Sequence, residues 1–330
     1  MKRREFITLL GGAAVAWPLG ATAQLPERMR RIGVLVNNPE SDQEVQRRIA
    51  VFRQAIAQFG WVEGRNVRIE LRFSGGNYER LPQLVQDMVA LQPDVIFVNT
   101  TPALKVLQAR TRTIPLVFTY VSDPVGSGVV TSLARPAGNT TGLLLYEETI
   151  TGKWLGMLKE ISPRLARVAL VGNPKGFTYD YFVRSSKAIA PTLGMEVDPA
   201  PVENDATNIE QRIEAFARVP NGGLFLPPDI TTDQHRNLVI ALAARYRLPA
   251  VYAFRHAAEA GGLMSYGIDV LEQTRQAASY VDRILRGTNP ADLPVQAPTK
   301  YETVLNLKTA RALGFEVPAT LLVRADEVIE

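Results

Sequence analysis

Short apolar runs alternate with amphipathic stretches along this chain, and that rhythm is compatible with a parallel sheet covered by helices and with little else. Residues 32–36 form a continuous apolar run of the kind buried on both faces of such a sheet. Val45, Ile49, Phe52, Ile56 and Phe59 then recur at spacings of four and three, which lines one helix face. Gly60 and Gly64 stop that helix, and Val67, Ile69, Leu71 and Phe73 alternate as a strand. Leu81, Leu84, Val85 and Met88 mark the next helix. Strands at 95–98 and 116–118 flank a helix over 102–110, and 142–145 reads as a further strand.

The rhythm then restarts. Helices at 153–161, 179–190, 238–246 and around Ile209, Ile213 and Phe216 alternate with strands at 168–171, 195–197, 224–226 and 250–252. A strand at 263–265 and a helix over 270–285 follow. The Pro-rich tail (Pro290, Pro294, Pro298) leads into a short helix near 307–313 and is expected to pack across both units. Two successive α/β units of similar size predict two lobes, each a parallel sheet flanked by helices, with a ligand cleft between them.

The first residues predict export. Lys2, Arg3 and Arg4 form a basic start, 7–19 is a short apolar stretch, and Ala21-Thr22-Ala23 supplies the small residues a signal peptidase requires. The expected leader is 1–23, of Sec or twin-arginine type, the latter suggested by Arg3-Arg4-Glu5-Phe6-Ile7. With no cysteine in 330 residues there is no lipid-anchoring site after the leader and no disulfide. A periplasmic protein without a lipid anchor is expected, stabilised by core burial alone. Of the formal net charge of +4 the leader carries +2, and the remaining Lys and Arg are scattered among acids. No phosphate-tracking stripe forms, so nucleic acid is not an expected partner.

Ligands of open parallel sheets bind beyond the carboxyl ends of the strands. Those positions hold Asn37-Asn38-Pro39, Asn99-Thr100-Thr101-Pro102, Thr119-Tyr120-Val121-Ser122-Asp123-Pro124, Gly172-Asn173-Pro174, Pro227-Pro228-Asp229 and Tyr252-Ala253-Phe254. Asn37, Thr100, Thr101, Tyr120, Ser122, Asp123, Asn173, Asp229 and Tyr252 are expected to approach a ligand. Asp229 or Asp123 would pair with an amino group, and Thr100 or Thr101 would hold a carboxylate. Each polar residue among them also suits an N-cap, and Tyr252 and Phe254 also suit packing between lobes.

Catalytic chemistry finds little support. The two histidines, His235 and His256, lack metal-type spacing, and the chain has no cysteine nucleophile, Gly-x-Ser-x-Gly elbow or Gly-x-x-x-x-Gly-Lys loop. Gly126-Ser127-Gly128 lacks the third glycine of a nucleotide loop, and an acid–base pair of Asp123 and Asp229 would have no nucleophile to serve. The expectation is a protein that is not an enzyme, with no cofactor and no bound metal.

Several segments carry a family resemblance. They are Ser122-Asp123-Pro124-Val125-Gly126, Ser132-Leu133-Ala134-Arg135-Pro136-Ala137-Gly138-Asn139-Thr140-Thr141-Gly142 and Ala260-Gly261-Gly262-Leu263-Met264-Ser265-Tyr266-Gly267. Asp292-Leu293-Pro294-Val295-Gln296-Ala297-Pro298-Thr299-Lys300-Tyr301-Glu302, Leu305-Asn306-Leu307-Lys308-Thr309-Ala310 and the closing Arg324-Ala325-Asp326-Glu327-Val328-Ile329-Glu330 belong with them. With these the chain resembles the substrate-binding proteins of ABC transporters, whose relatives include tryptophan/tyrosine-type amino-acid binders. The resemblance implies the type I periplasmic-binding fold, with two Rossmann-like lobes, three crossovers and hinge closure over a small solute, an amino acid or small carboxylate. On that pattern the first lobe is 30–145 plus 262–290 and the second is 146–261 plus 291–330. The implied partners of this monomer are a small-molecule ligand and the permease and ATPase of an ABC importer. A ligand-sensing module feeding a receptor or kinase is the alternative, and an exported hydrolase a more distant one. Thr100-Thr101 stands where many relatives have a glycine-rich turn, and Pro227-Pro228-Asp229 where Gly-Pro-Asp is frequent.

Overall fold

A computed structural model describes residues 28–147, 149–176 and 178–330. The leader expected at 1–23 lies outside the described residues. The first unit runs β1 (Arg30–Val36), α1 (Gln43–Gln58), β2 (Val67–Phe73), α2 (Leu81–Ala90), β3 (Val95–Asn99), α3 (Thr101–Arg110), β4 (Leu116–Val121) and β5 (Thr140–Leu144). The apolar repeat of α1 becomes its buried face of Val45, Ile49, Phe52, Ala55 and Ile56, and Asp42 caps its start by accepting from the Glu44 amide at 2.8 Å. The strands stand in the order β2-β1-β3-β4-β5, all parallel. One face of this sheet is covered by α1, the other by α2 and α3.

The second unit runs α4 (Ile150–Ile161), β6 (Arg167–Gly172), α5 (Thr178–Ile189), β7 (Glu196–Pro201), α6 (Ala206–Ala217), β8 (Gly222–Leu226), α7 (Ile230–Gln234), α8 (Arg236–Arg245), β9 (Ala250–Tyr252), α9 (Arg255–Glu259) and β10 (Met264–Ile268). These strands repeat the winding of the first sheet in the order β10-β9-β8-β6-β7. Pro199 and Pro201 lie in β7, the edge strand, where a missing amide removes no ladder bond on the outer side. Trp154 on α4 anchors the core. It is fully buried, donates from its indole to the Tyr266 carbonyl at 2.6 Å, and meets the rings of Tyr146, Phe225 and Phe182 at 5.0, 5.1 and 5.7 Å.

The chain then returns. After β10, α10 (Val270–Leu285) packs Ala277, Ala278, Val281, Ile284 and Leu285 against the α1 face of the first sheet. The following segment stays there, since Thr141 donates to the Leu293 carbonyl at 2.6 Å and Leu143 bridges Gln296. It crosses back into β11 (Tyr301–Asn306), which pairs antiparallel with β10 and precedes α11 (Leu307–Leu313), α12 (Ala319–Arg324) and β12 (Glu327–Ile329). The crossings therefore fall elsewhere than the division at 262 and 291. β10 lies in the second sheet, because its apolar run completes the ladder beside β9, while 293–296 remains with the first. Tyr301 and Tyr266 stack at 5.4 Å beside these crossings, and Tyr301 accepts from the Glu147 amide at 3.1 Å. No helix among the described residues is long and apolar enough to cross a membrane.

Candidate ligand-binding cleft

Both sheets change winding direction at one point, between β1 and β3 in the first and between β6 and β8 in the second. Such switch points leave a crevice beyond the strand ends. Here the two crevices face each other and enclose about 620 Å³ of space, counting the open mouth.

On the first-lobe side the wall is Asn38, Arg48, Tyr78, Thr100, Thr101 and Tyr120. Two of these residues occupy backbone conformations with positive φ, Thr100 at 75° and Tyr120 at 59°. Each such conformation in a bulky residue costs roughly 1–3 kcal/mol and persists only where surrounding contacts impose it. For Tyr120 the cause is local. The β4–β5 register shifts between Phe118 and Val121, and a side chain at Gly142 would lie 2.3 Å from the Phe118 carbonyl, so glycine lets the strands approach there. For Thr100 the cause is a buried amide network. Its amide donates to Thr119 at 3.1 Å, and its hydroxyl accepts from Asn37 Nδ2 at 3.3 Å. The Asn37 amide donates to Asn99 Oδ1 at 2.7 Å, and the Ser74 hydroxyl donates to Asn37 Oδ1.

The second lobe contributes Asp229, Asp233, Phe254 and His256, with Thr178 and Pro228 beside them. Asp229 caps α7, accepting from the Thr232 amide at 2.9 Å and from the Asn173 amide at 3.1 Å. Burial pushes its carboxyl up to about 6, against the pull of those hydrogen bonds. Burial also acts to raise Asp233, yet His256 Nε2, 2.5 Å away, together with Arg236 and Arg48, holds it below the ordinary carboxylate value. Rings then bridge the lobes. The Arg48 guanidinium lies 5.0 Å from the Tyr120 ring centre, Tyr120 meets Phe254 at 5.8 Å, and Phe254 stacks on His256 at 5.4 Å. Burial raises the phenols of Tyr78 and Tyr120, so both are neutral hydrogen-bonding groups near pH 7.

Of the residues expected to approach a ligand, Thr100, Thr101, Tyr120 and Asp229 line this cleft. Asn37 and Asn173 do not. Asn37 is fully buried in the network behind Thr100, and Asn173 spends its side chain on Thr231 at 3.0 Å and the Lys175 amide at 2.9 Å. Tyr252 is packed behind the wall against the second-lobe core. Ser122 and Asp123 line an adjoining chamber, where Asp123 holds a turn by accepting from the Gly126 amide at 2.7 Å. Arg48, Tyr78, Asp233 and His256 escape a reading confined to strand ends. A carboxylate four residues after Asp229, on the same face of the following helix, was the available signal for Asp233. Among the described residues no three His, Cys, Asp or Glu side chains gather closely enough to hold a metal ion.

Two doubly wound lobes facing each other across such a cleft define the type I periplasmic-binding fold. The chain belongs to the ABC transporter substrate-binding protein family, whose model matches residues 32–329. A tyrosine-binding protein of Clostridioides difficile (strain R20291) is 23% identical over 292 residues, covering 88% of this chain and 82% of that one. A conserved domain protein from Vibrio cholerae superposes with a TM-score of 0.84 at 26% identity, over 91% of this chain and 100% of the other. An ABC domain from Streptococcus pneumonia, solved in complex with L-Trp, gives 0.83 at 23% identity, over 91% and 99%.

Proposed function

We propose that this protein is the solute-capturing component of an ABC importer and that its solute is an α-amino acid with an apolar or aromatic side chain. The observation that carries this reading is that one cleft draws a guanidinium and hydroxyls from the first lobe and carboxylates from the second. Arg48 and the N-terminus of α3, with the Thr100 and Thr101 hydroxyls, offer a carboxylate its partners. Asp229 and Asp233 offer an amine its partners on the opposite lobe. Tyr78, Tyr120 and Phe254 supply apolar surface between them. The relatives named above, a tyrosine-binding protein and a domain solved with L-Trp, go with amino acids of that kind.

Closure follows from where the groups sit. Neither lobe alone holds both charges, so a zwitterion gains its full set of contacts only when the lobes come together. Three chain crossings lined by Tyr266 and Tyr301 act as the hinge. The basic and apolar start that leads one to expect a leader at 1–23 supports capture in the periplasm, from which the protein delivers its solute to a membrane permease.

Thermal denaturation across a panel of amino acids, small carboxylates and sugars tests this. An apolar or aromatic L-amino acid is expected to raise the melting temperature, and Asp229→Ala to abolish that shift. A shift produced only by sugars, or one unchanged in Asp229→Ala, would overturn the reading.

A further inference from the structure

Gly176 lies between β6 and α5 and lines the cleft. Chain neighbours aside, the three atoms nearest to where its side chain would begin are all oxygens. They are the Asn173 carbonyl at 3.1 Å, and Asp229 Oδ2 and Tyr78 Oη, both at 3.5 Å. Asp229 belongs to the second lobe and Tyr78 to the first, so glycine at 176 leaves open a space that oxygens from both lobes border.

The local sequence explains how Tyr78 comes to be there. It opens a short 3₁₀ turn, Tyr78–Arg80, after a loop whose Gly75 and Gly76 hold φ at 70° and 79°, values that glycine adopts without strain. The Gly76 amide donates to the Asn37 carbonyl at 2.6 Å, and a side chain at 76 would collide with the Gln234 amide of the second lobe. The loop therefore lies close against the end of α7, the helix that Asp229 caps.

The oxygens differ in how far they are already committed. The Tyr78 hydroxyl makes no hydrogen bond among the described residues, and unlike the phenol oxygens of Tyr179 and Tyr252 it is not sealed from solvent. The amides of Thr232 and Asn173 use two of the roughly four acceptor positions of the Asp229 carboxylate. Asp233 is engaged by His256 Nε2 at 2.5 Å and by Arg236 at 3.8 Å. An ammonium carries N–H donors and no acceptor, which suits a space bordered by a carboxylate oxygen and a hydroxyl oxygen.

We infer that Tyr78 is a specificity-determining residue: its hydroxyl and the Asp229 carboxylate converge on the ligand's amine beside Gly176, so that a first-lobe hydroxyl completes the amine site of the second lobe. This rests on the amino-acid reading of the cleft. The amine site is complete only when Tyr78 lies against the second lobe.

Calorimetric titration of the purified full chain tests it with L-tryptophan, L-tyrosine, L-leucine and their des-amino analogues, the weaker ligands being measured by displacement of the stronger. Tyr78→Phe keeps the ring and removes the oxygen. It is expected to weaken the amino acids about tenfold, the loss of one hydrogen bond to a charged group, and to leave the des-amino analogues unchanged. Gly176→Ala sets a methyl 3.5 Å from both oxygens and is expected to discriminate in the same way, its unliganded melting temperature showing that the fold is kept. Equal weakening of amino acids and analogues by Tyr78→Phe, or no weakening of either, would overturn the inference and leave the amino-acid reading standing. Analogues that bind the parent as tightly as the amino acids, or no binding of any of the three amino acids, would overturn that reading and the inference with it.

Discussion

Tyr120 of the first lobe and Phe254 of the second face each other across the cleft with ring centroids 5.8 Å apart and planes inclined by 47°. The two rings come from different lobes, so their separation depends on how the lobes are set against each other. Phe254→Ala removes the second-lobe half of the apolar wall. A buried aromatic anchor at a binding site typically costs 2 kcal/mol or more on truncation, so affinity is expected to fall about thirtyfold. Calorimetric titration checks the affinity, and the melting temperature of the unliganded variant checks that the fold is retained.

Asp229 predicts a pH dependence of both stability and binding. Its folded-state value, about 6, lies above its ordinary 3.8. The folded protein therefore binds this proton more tightly, and the stability from the protonated form is complete below 3.8 and lost as pH rises towards 6. Asp229→Asn keeps a capping oxygen for Thr232 and removes the buried charge, but sets an NH2 donor against the Asn173 amide. The melting temperature of the unliganded variant is expected to rise relative to the parent's as pH goes from 4 to 7, because only the parent must then carry a buried charge. Ligand affinity of the parent is expected to fall as pH drops through 6, since the protonated carboxyl no longer attracts an amine; the variant should bind weakly at every pH. Melting curves and titrations at a series of pH values check both.

Thr100 holds φ at 75°, a region that glycine enters freely and threonine does not. Thr100→Ala and Thr100→Gly both lose the hydroxyl that accepts from Asn37, so they differ mainly in backbone cost. Glycine ordinarily destabilises by roughly 0.5–1 kcal/mol relative to alanine. Here the order is expected to invert, with the glycine variant more stable by about 1 kcal/mol. Urea unfolding of the pair checks the sign.

Arg236 of α8 reaches Asp42, the cap of α1 in the other lobe, at 3.7 Å, and Gln234 donates to the Gly75 carbonyl at 3.4 Å. These contacts tie the two lobes together at the rim of the cleft. A partly exposed ion pair contributes roughly 0.2–1 kcal/mol, so Arg236→Ala is expected to speed ligand release only a few-fold. Stopped-flow dissociation rates check this, and the effect should shrink at high salt.

The parallel-sheet architecture was legible because buried strands and one-faced helices leave different periodicities, and 32–36 and 43–58 show both in sequence. β11 and β12 were not legible. Tyr301–Asn306 sits in a Pro-rich tail, and its pairing with β10 is a tertiary event without a local signature. The site divided along similar lines. Thr100, Thr101, Tyr120 and Asp229 stand at strand ends, which the sheet topology directs into the cleft. Arg48 points there from the middle of α1, and the orientation of α1 against the sheet decides that placement. Asn37 and Asn173 occupy the right positions along the chain but serve the scaffold, because buried amides at strand ends bond to the neighbouring loops first.

On this reading one cleft holds a carboxylate on the first lobe and an amine on the second. Calorimetric titration of protein freed of ligand by unfolding and refolding tests it most directly, using one L-amino acid that binds, its α-amide and its des-amino analogue. The amino acid is expected to bind 1:1 in the micromolar range or tighter, and the des-amino analogue to bind far more weakly, a loss that Asp229→Asn does not deepen. Equal affinity for the amino acid and its des-amino analogue would contradict it.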